Sequence, residues 1–436
     1  MEPQKPTYRE AFLFWLKLGF ISFGGPAGQI GIMHAFLVDK KKWISNSKFM
    51  HALNYCNLLP GPEAQQLATY TGWLLHGTKG GLSAGILFIL PSVFILAGLS
   101  VLYVLYGRIE WVYSLFDGLK PAVVAIVITA LLKMGKKSLT SFFHLLIATA
   151  SFIAIFFFKV MFPVIIIAAI LLGYFYTKIP GNRQKPDDEN GTIANEDDYY
   201  INSYNSVNRK EFRIKNLLIQ LLVFIFLLSA PLMLFSIFSN SYSFWYNMSE
   251  FFTKAAFVTF GGAYAVLPYV AQVSVAQFGW LSGSQMIDGF ALGETTPGPL
   301  IMILAFVGFM GGYTHFDSSV IHGLAGLITT TYYTFLPSFL FIFAGAPLIE
   351  KTQEKKSVKG ILSIVTASVV GVVLNLTVFF GIEVIFPNGL ALNETDISSV
   401  IWIIVSFFAL YKFKTDMVLW IGISALYGLL HYYLGN

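Results

Sequence analysis

The sequence predicts an all-α polytopic membrane protein made of two inverted-topology repeats whose helices are interrupted at Gly/Pro pairs. Three observations carry this expectation. Of the 436 residues, 56% are hydrophobic and only 12% charged, where a soluble chain carries roughly twice that charge. Apolar runs recur at Leu82–Tyr106, Val112–Leu132, Asn216–Phe238, Val320–Ile349 and Gly360–Phe380, each about as long as the ~20 residues a bilayer span requires. The chain also repeats itself. Phe23-Gly24-Gly25 recurs as Phe260-Gly261-Gly262, and Pro60-Gly61-Pro62 as Pro297-Gly298-Pro299, both at an offset of 237 residues.

The same offset pairs Phe14 with Phe251, Lys17 with Lys254, Phe20 with Phe257, Trp43 with Trp280, Ser45 with Ser282 and Leu67-Ala68 with Leu304-Ala305, without a gap. A longer connection then shifts the frame, and Leu90-Pro91-Ser92 matches Leu336-Pro337-Ser338. One such pair can arise by chance; two motifs at one spacing with a tryptophan between them indicate a duplication. The first repeat is expected over residues 1–179. The polar stretch Pro180–Arg213 reads as a solvated linker. Residues 214–240 read as an added transmembrane helix, and 241–436 as the second repeat.

Orientation follows from lysine and arginine, which favour the cytoplasmic side. The loop "DKKKW" (Asp39–Trp43) is basic and its copy "AQFGW" (Ala276–Trp280) is uncharged. Farther on, "GRIEW" (Gly107–Trp111) is neutral and "EKTQEKKSVK" (Glu350–Lys359) basic. Opposite bias at equivalent positions predicts opposite orientation, and the helix over 214–240 supplies the extra crossing that inversion needs. Each half opens with two interrupted segments (Tyr8–Val38 and Lys48–His76 in the first), followed by more continuous ones. As full but broken spans these give about thirteen crossings; as re-entrant hairpins, about nine crossings plus four hairpins. Only hairpins place "DKKKW" inside and "AQFGW" outside, so the charges favour them. The N-terminus, the linker, Lys133, Lys136 and Lys137 are then cytoplasmic. The acidic stretch with Glu383, Glu394 and Asp396, and the C-terminus, lie outside a plasma or inner membrane.

The interruptions point to function. A helix that restarts leaves backbone N–H groups unpaired, which hydrocarbon does not tolerate unless they are buried in protein or line a watery cavity. Pro26 and Pro62 suit the first turn of a restarting helix, and glycine permits a sharp turn and close approach of a ligand. The free N–H groups and the positive dipole end form an anion site. The candidate binding residues are therefore Phe23, Gly24, Gly25, Pro26 and Gln29, then Pro60, Gly61, Pro62 and Gln65. In the second half they are Phe260, Gly261, Gly262, Thr295, Thr296, Pro297, Gly298 and Pro299. Lys17 and Lys254 each sit seven residues before a break glycine, Gly24 and Gly261, or two helical turns and roughly 10 Å away. Intramembrane charges are functional candidates. Glu63 and Glu294 are candidates for coupling or charge balance. The plainer alternatives are helix packing for the Gly/Pro pairs and snorkelling for the lysines.

Other classes fare worse. The one cysteine, Cys56, permits neither an intrachain disulfide nor a multi-cysteine metal site. The histidines show no paired metal spacing, and no phosphate-loop motif occurs. Basic residues form no stripe for nucleic acid. No metal, cofactor or enzymatic constellation is expected.

"FGGPAGQI", "LPGPEAQQLATYTGW" and "FILPS" in the first half, with "FVTFGGAYAVLPYV", "DGFALGETTPGPL" and "YTFLPSF" in the second, resemble the chromate ion transporter family. The resemblance covers both halves and looks like the family's long-chain type, with two homologous domains fused. It implies chromate efflux from the cytoplasm driven by an ion gradient, with sulfate a close analogue as another tetrahedral dianion. This sequence departs from internal symmetry at Pro26, whose mate is Ala263, and at Glu63, whose mate is Leu300. The expectation is a secondary transporter exporting chromate by alternating access, lodged in the lipid bilayer. A transporter of sulfate or another oxyanion, or an anion channel on the same scaffold, is the alternative. The coupling ion, a proton among the options, and the oligomeric state, a homodimer among them, are left open.

Overall fold

The two halves lay down the same succession of helices, because the same breakers fall at the same places. The structure, a computed structural model, describes residues 5–178, 196–202, 214–349 and 356–435. Most of the linker and the basic stretch over 350–355 lie outside those residues.

In the first half, α1 (Tyr8–Ile21) starts where the Thr7 hydroxyl accepts from the Glu10 N–H, a side-chain cap for one orphan donor. It stops at Ser22. α2 (Gly25–His34) restarts beyond the break and runs on as a π-helical turn to Lys40. α3 (Asn46–Cys56), capped by Ser45, leads to the Pro60-Gly61-Pro62 break and α4 (Glu63–Tyr106). α4 is two helices across a kink at His76 and Gly77, the latter at φ 65°. α5 (Glu110–Ser138), α6 (Phe142–Phe156) and α7 (Phe162–Tyr176) complete the half. After α8 (Ile214–Phe238) the order recurs: α9 (Tyr242–Val258), break, α10 (Ala263–Ala271) with a π-helical extension, α11 (Gly283–Thr295), break, α12 (Ile303–His315). The chain ends with α13 (Val320–Ile349), α14 (Lys356–Ile385), α15 (Ile397–Phe407) and α16 (Met417–Gly435).

The interrupted segments fold out and back. Lys41, after α2, forms an ion pair with Glu10 at the start of α1 (2.6 Å), and Phe14 stacks on Phe36 with ring centroids 3.8 Å apart. The His76 imidazole, at the far end of the α3–α4 pair, bonds the Pro6 carbonyl (2.9 Å). The ends of both segments therefore meet at one edge, with the breaks at the opposite tips. The second half does the same. Phe244, at the start of α9, packs against Trp280 and stacks on His315, while the Thr314 hydroxyl donates to the Trp280 carbonyl.

Among the described residues, α4, α5, α8, α13, α14 and α16 are long and apolar enough to cross a membrane, and α6, α7 and α15 are shorter apolar helices. The protein is an all-α, multi-pass membrane protein. The halves interlock: α5 of the first packs on α15 and α16 of the second, and α14 of the second packs on α6 and α7 of the first. Part of the linker is tied down. Residues 196–202 bridge to the loop after α2, where the Ile201 N–H donates to the Trp43 carbonyl and the Ser45 N–H to Ile201 O, and Ile201 is fully buried.

Hairpins and full spans make opposite predictions for labelling. Cys56 is buried, so single cysteines can be read against a silent background. Lys41→Cys and Asp198→Cys are expected to react with an impermeant maleimide from the same face. Gln277→Cys is expected to react from the other. Labelling of positions 41 and 198 from opposite faces would establish full broken spans instead.

Candidate functional site

The breaks turn on glycines in the left-handed region: Gly24 (φ 84°), Gly25 (73°), Gly61 (122°), Gly261 (82°), Gly262 (92°) and Gly298 (109°). A side chain there is strained. Beyond each break the chain restarts as a helical turn whose first donors face no capping side chain: α2 after Gly24, α4 after Pro62, α10 after Gly262 and the 3-10 turn Leu300–Met302 after Pro299.

The tips cross between halves. The Gly61 N–H donates to the Thr259 carbonyl (2.7 Å), and the Gly298 N–H to the Ser22 carbonyl (2.8 Å). Ser22 and Thr259 are themselves mates at the 237-residue offset. Their hydroxyls turn back on their own helices, to Leu18 O and Ala255 O, which leaves the carbonyls free for the other half. The LPS serines take part as well. Ser92 Oγ donates to the Pro297 carbonyl, and a Cβ built on Gly61 would meet Ser338 Oγ at 2.7 Å.

The side chains around this crossing are not symmetric. Gln29 is buried and donates to Gly298 O (2.5 Å) and Ser22 O (3.3 Å). Its mate is Val266. Gln66 donates to Pro60 O (2.7 Å) and Gln65 to Thr69 Oγ1 (3.1 Å); their mates are Ile303 and Met302. The carbonyl oxygens of Gln29, Gln65 and Gln66 are buried and unpaired. Glu63 is half-buried and lies across the crossing from its own hairpin, with Oε1 3.8 Å from a Cβ built on Gly262. Glu294 is buried and accepts from the Tyr264 hydroxyl (2.8 Å). Thr295 and Thr296 both donate to Leu292 O.

The two FGG breaks differ in access. Phe23 and Gly24 are exposed, and nothing lies within 4 Å of a Cβ built on Gly24 or Gly25. Gly262 is buried and Gly261 packs toward Thr366 and Val369 of α14. Lys17 is exposed on the same open helix. Lys254 is exposed too, and forms an ion pair with Glu250 (2.7 Å) on its own helix. Thus the structure brings together Gln29, Pro60, Gly61, Gln65, Glu63, Gly262, Pro297 and Gly298 at the crossing, and Glu294 and the threonines beside it. Both lysines stand on outward faces of α1 and α9. Sequence reasoning passed over Ser22, Gln66, Thr259, Ser92, Ser338 and Tyr264. Ser22 and Thr259 directly precede the paired FGG motifs, and the serines end the paired LPS motifs, so four of these six carried a signal. Among the described residues no group of three or more His, Cys, Asp or Glu is arranged to hold a metal.

The crossing gives a stability test. Gly298→Ala places a methyl against Ser92 Oγ at left-handed φ and is expected to cost about 2–4 kcal/mol in unfolding free energy. Ser92→Ala, which loses one buried hydrogen bond, is expected to cost about 1 kcal/mol. The double variant is expected to fall short of the sum, because removing the hydroxyl relieves the collision; strict additivity in thermal unfolding would refute the contact.

The family described as chromate transporter matches residues 9–174 and 246–429 of this chain. An uncharacterized transporter of Methanocaldococcus jannaschii is 27% identical over 428 residues, covering 98% of this chain and 94% of that protein. A chromate transport protein of Cupriavidus metallidurans is 26% identical, covering 94% of this chain and 90% of its own length. A probable chromate transport protein of Synechococcus elongatus is 27% identical over 86% of each. No solved structure matches. With both halves matched and nearly the whole chain covered by these relatives, the protein belongs to the chromate transporter family, in its long-chain form with two fused homologous domains.

Proposed function

We propose that this chain is a secondary transporter that exports chromate from the cytoplasm by alternating access, driven by an ion gradient. The observation that supports this best is the crossing of four uncapped helix starts, one side open and the other closed. A tetrahedral dianion suits a site made of backbone N–H groups and dipole ends, which carry positive potential without needing a counter-ion. The names of two relatives, a chromate transport protein and a probable chromate transport protein, point to the same substrate. The open first FGG break and the covered second one are what one end-state of such a cycle would look like, because equivalent breaks in the two repeats differ in access.

In this reading the anion is held among Phe23 to Pro26, Gln29, Pro60 to Pro62 and Gln65, with Phe260 to Gly262 and Thr295 to Pro299 opposite. The helix starts supply the donors, since the Gly61 and Gly298 N–H groups are already bonded to Thr259 O and Ser22 O. The glutamines' free oxygens are acceptors, so their amides turn when an anion enters. Lys17 lies on the exposed face that leads to the open break and draws the dianion in, and Lys254 serves the same role from the second half once released from Glu250. A dianion disfavours ionised carboxylates beside it, so Glu63 and Glu294 are neutral or ion-paired while substrate is bound. The 25 residues of α8, roughly 37 Å of helix, carry the chain from the edge where the linker docks to the edge where α9 begins. That supports opposite orientation of repeats 1–179 and 241–436. The N-terminus and linker over 180–213 are then cytoplasmic and the C-terminus outside, in the plasma or inner membrane.

Inside-out vesicles test this directly. Labelled chromate is expected to accumulate in them, to be displaced by excess sulfate, and to respond to an imposed pH gradient. Lys17→Ala is expected to lower the initial rate about tenfold, the worth of one charge-assisted contact. Accumulation only down the chromate gradient would make the protein a channel. Full activity in Lys17→Ala would remove the lysine from the pathway.

A further inference from the structure

A second polar centre lies away from the crossing, where α11 of the second half meets α4 and α5 of the first. Asp288 on α11 is 5% exposed. Its Oδ2 accepts from the Tyr103 hydroxyl of α4 (2.8 Å), and its Oδ1 is buried with no partner. Lys120 of α5, also buried, lies within electrostatic reach of Asp288 and is ion-paired to Asp117 (3.2 Å). Asp117 lines a cavity of about 620 Å³ together with Arg108, Glu110, Asp396 and His431. The ammonium is bonded to the carboxylate at the cavity wall, while the buried one is bonded to Tyr103. The first half has no copy of this centre, since the mate of Asp288 is His51.

We propose that Asp288, bonded to Tyr103 and within electrostatic reach of Lys120 at the contact of the two halves, is a proton-binding site reached from the Asp117 cavity, and that its loading and unloading couples proton movement to the motion of α11. The inference rests on the transport reading above. Burying an unbalanced negative charge is costly. Asp288 Oδ1, buried and unpaired, gains most from a proton, which arrives from the cavity past Asp117 and is released to the opposite side once α11 has moved. When it binds, the attraction between Asp288 and Lys120 weakens, and α11 is freer to move against α5. α11 runs directly into the second PGP break. Pro297 lies nine residues beyond Asp288, roughly 13 Å along the chain, so a shift of α11 bears on Gly298 and its bonds to Gln29 and Ser22. A hard divalent cation would need six or more oxygen ligands, and here Oδ1 alone is unpaired, since the Tyr103 hydroxyl is bonded to Oδ2.

Tyr103 comes to Asp288 from α4. From α5 come Lys120 and Asp117, with Tyr113 beneath the Lys120 ammonium (5.1 Å to the ring centroid). α12 brings Phe306 against the Tyr103 ring, its titratable Tyr313 and His315 lying two turns or more farther along. α14 sets Glu383 beside Gly283, at the other end of α11, and α16 offers His431 and Tyr432 to the cavity. On α11 itself Glu294 is bonded to Tyr264. Across the cavity, Asp396 caps α15. Burial alone would raise its carboxyl, but bonds from Ser398 and Ser399 hold it below the usual carboxylate range, which keeps it ionised.

The test uses the full chain in lipid. Infrared difference spectra between mildly alkaline and mildly acidic pH are expected to show a protonated carboxylic acid band that Asp288→Asn abolishes. Lys120→Gln, which removes the nearby positive charge, is expected to keep the band and move its midpoint to higher pH. In proteoliposomes, Asp288→Asn is expected to retain chromate–chromate exchange while its pH-gradient-driven uptake falls about tenfold, within the usual range of coupling between sites. A band that survives Asp288→Asn, a midpoint indifferent to Lys120→Gln, or gradient-driven uptake intact in Asp288→Asn would each overturn the proposal, as would uptake driven by a sodium gradient alone. Wild-type protein that shows the band and its loss, yet moves neither chromate nor sulfate, would overturn the transport reading and leave the proton site standing.

Discussion

A backbone N–H without water must find a carbonyl inside the protein, and here the carbonyl it finds belongs to the other half. The Gly61 to Thr259 and Gly298 to Ser22 hydrogen bonds satisfy donors that a helix break exposes. In hydrocarbon, each would otherwise cost several kcal/mol. Neither half can therefore complete its own breaks. The interlock of α5 with α15 and α16, and of α14 with α6 and α7, holds the tips where these bonds can form. Everything at the candidate site depends on this constraint: the left-handed glycines, the uncapped helix starts and the short reach between opposing tips.

The same backbone frame carries unlike side chains. The first half supplies Glu63, Gln29, Gln65 and Gln66, while their mates Leu300, Val266, Met302 and Ile303 are apolar. The second supplies the bonded pair Tyr264 and Glu294, opposite Ala27 and Asn57. One FGG break is open and the other covered. The frame is shared between repeats because hydrogen bonding demands it; the lining is free to differ because it acts on whatever occupies the gap.

Much of this was legible in the sequence, and the limits are physical. The breaks were visible because only glycine tolerates φ near 80–120° at Gly24, Gly61, Gly261 and Gly298, and because each occurs twice. The choice between hairpin and span was only weakly legible. It depends on contacts such as Glu10 with Lys41 and Pro6 with His76, between residues far apart in the chain, and only the lysines of "DKKKW" hinted at it. Helical spacing placed Lys17 on a face with Gly24, and both are exposed; spacing says nothing about what that face looks upon. Ser22 and Thr259 were passed over because they act through backbone carbonyls, which any residue possesses. Tyr103 and Lys120 come to the vicinity of Asp288 from the other half, at no spacing the sequence makes readable.

The fusion of two halves into one chain has a consequence for counting charge. Two identical subunits meeting on an axis must place every ionisable group at that axis in pairs, so the number of such groups is even. In a single polypeptide the pairing lapses. Glu63 faces Gly262 while its mate is a leucine, and Asp288 is matched by a histidine. Such a centre can rest on a single ionisable group with no twin beside it, so its proton is held by one residue and not shared between two equivalent ones.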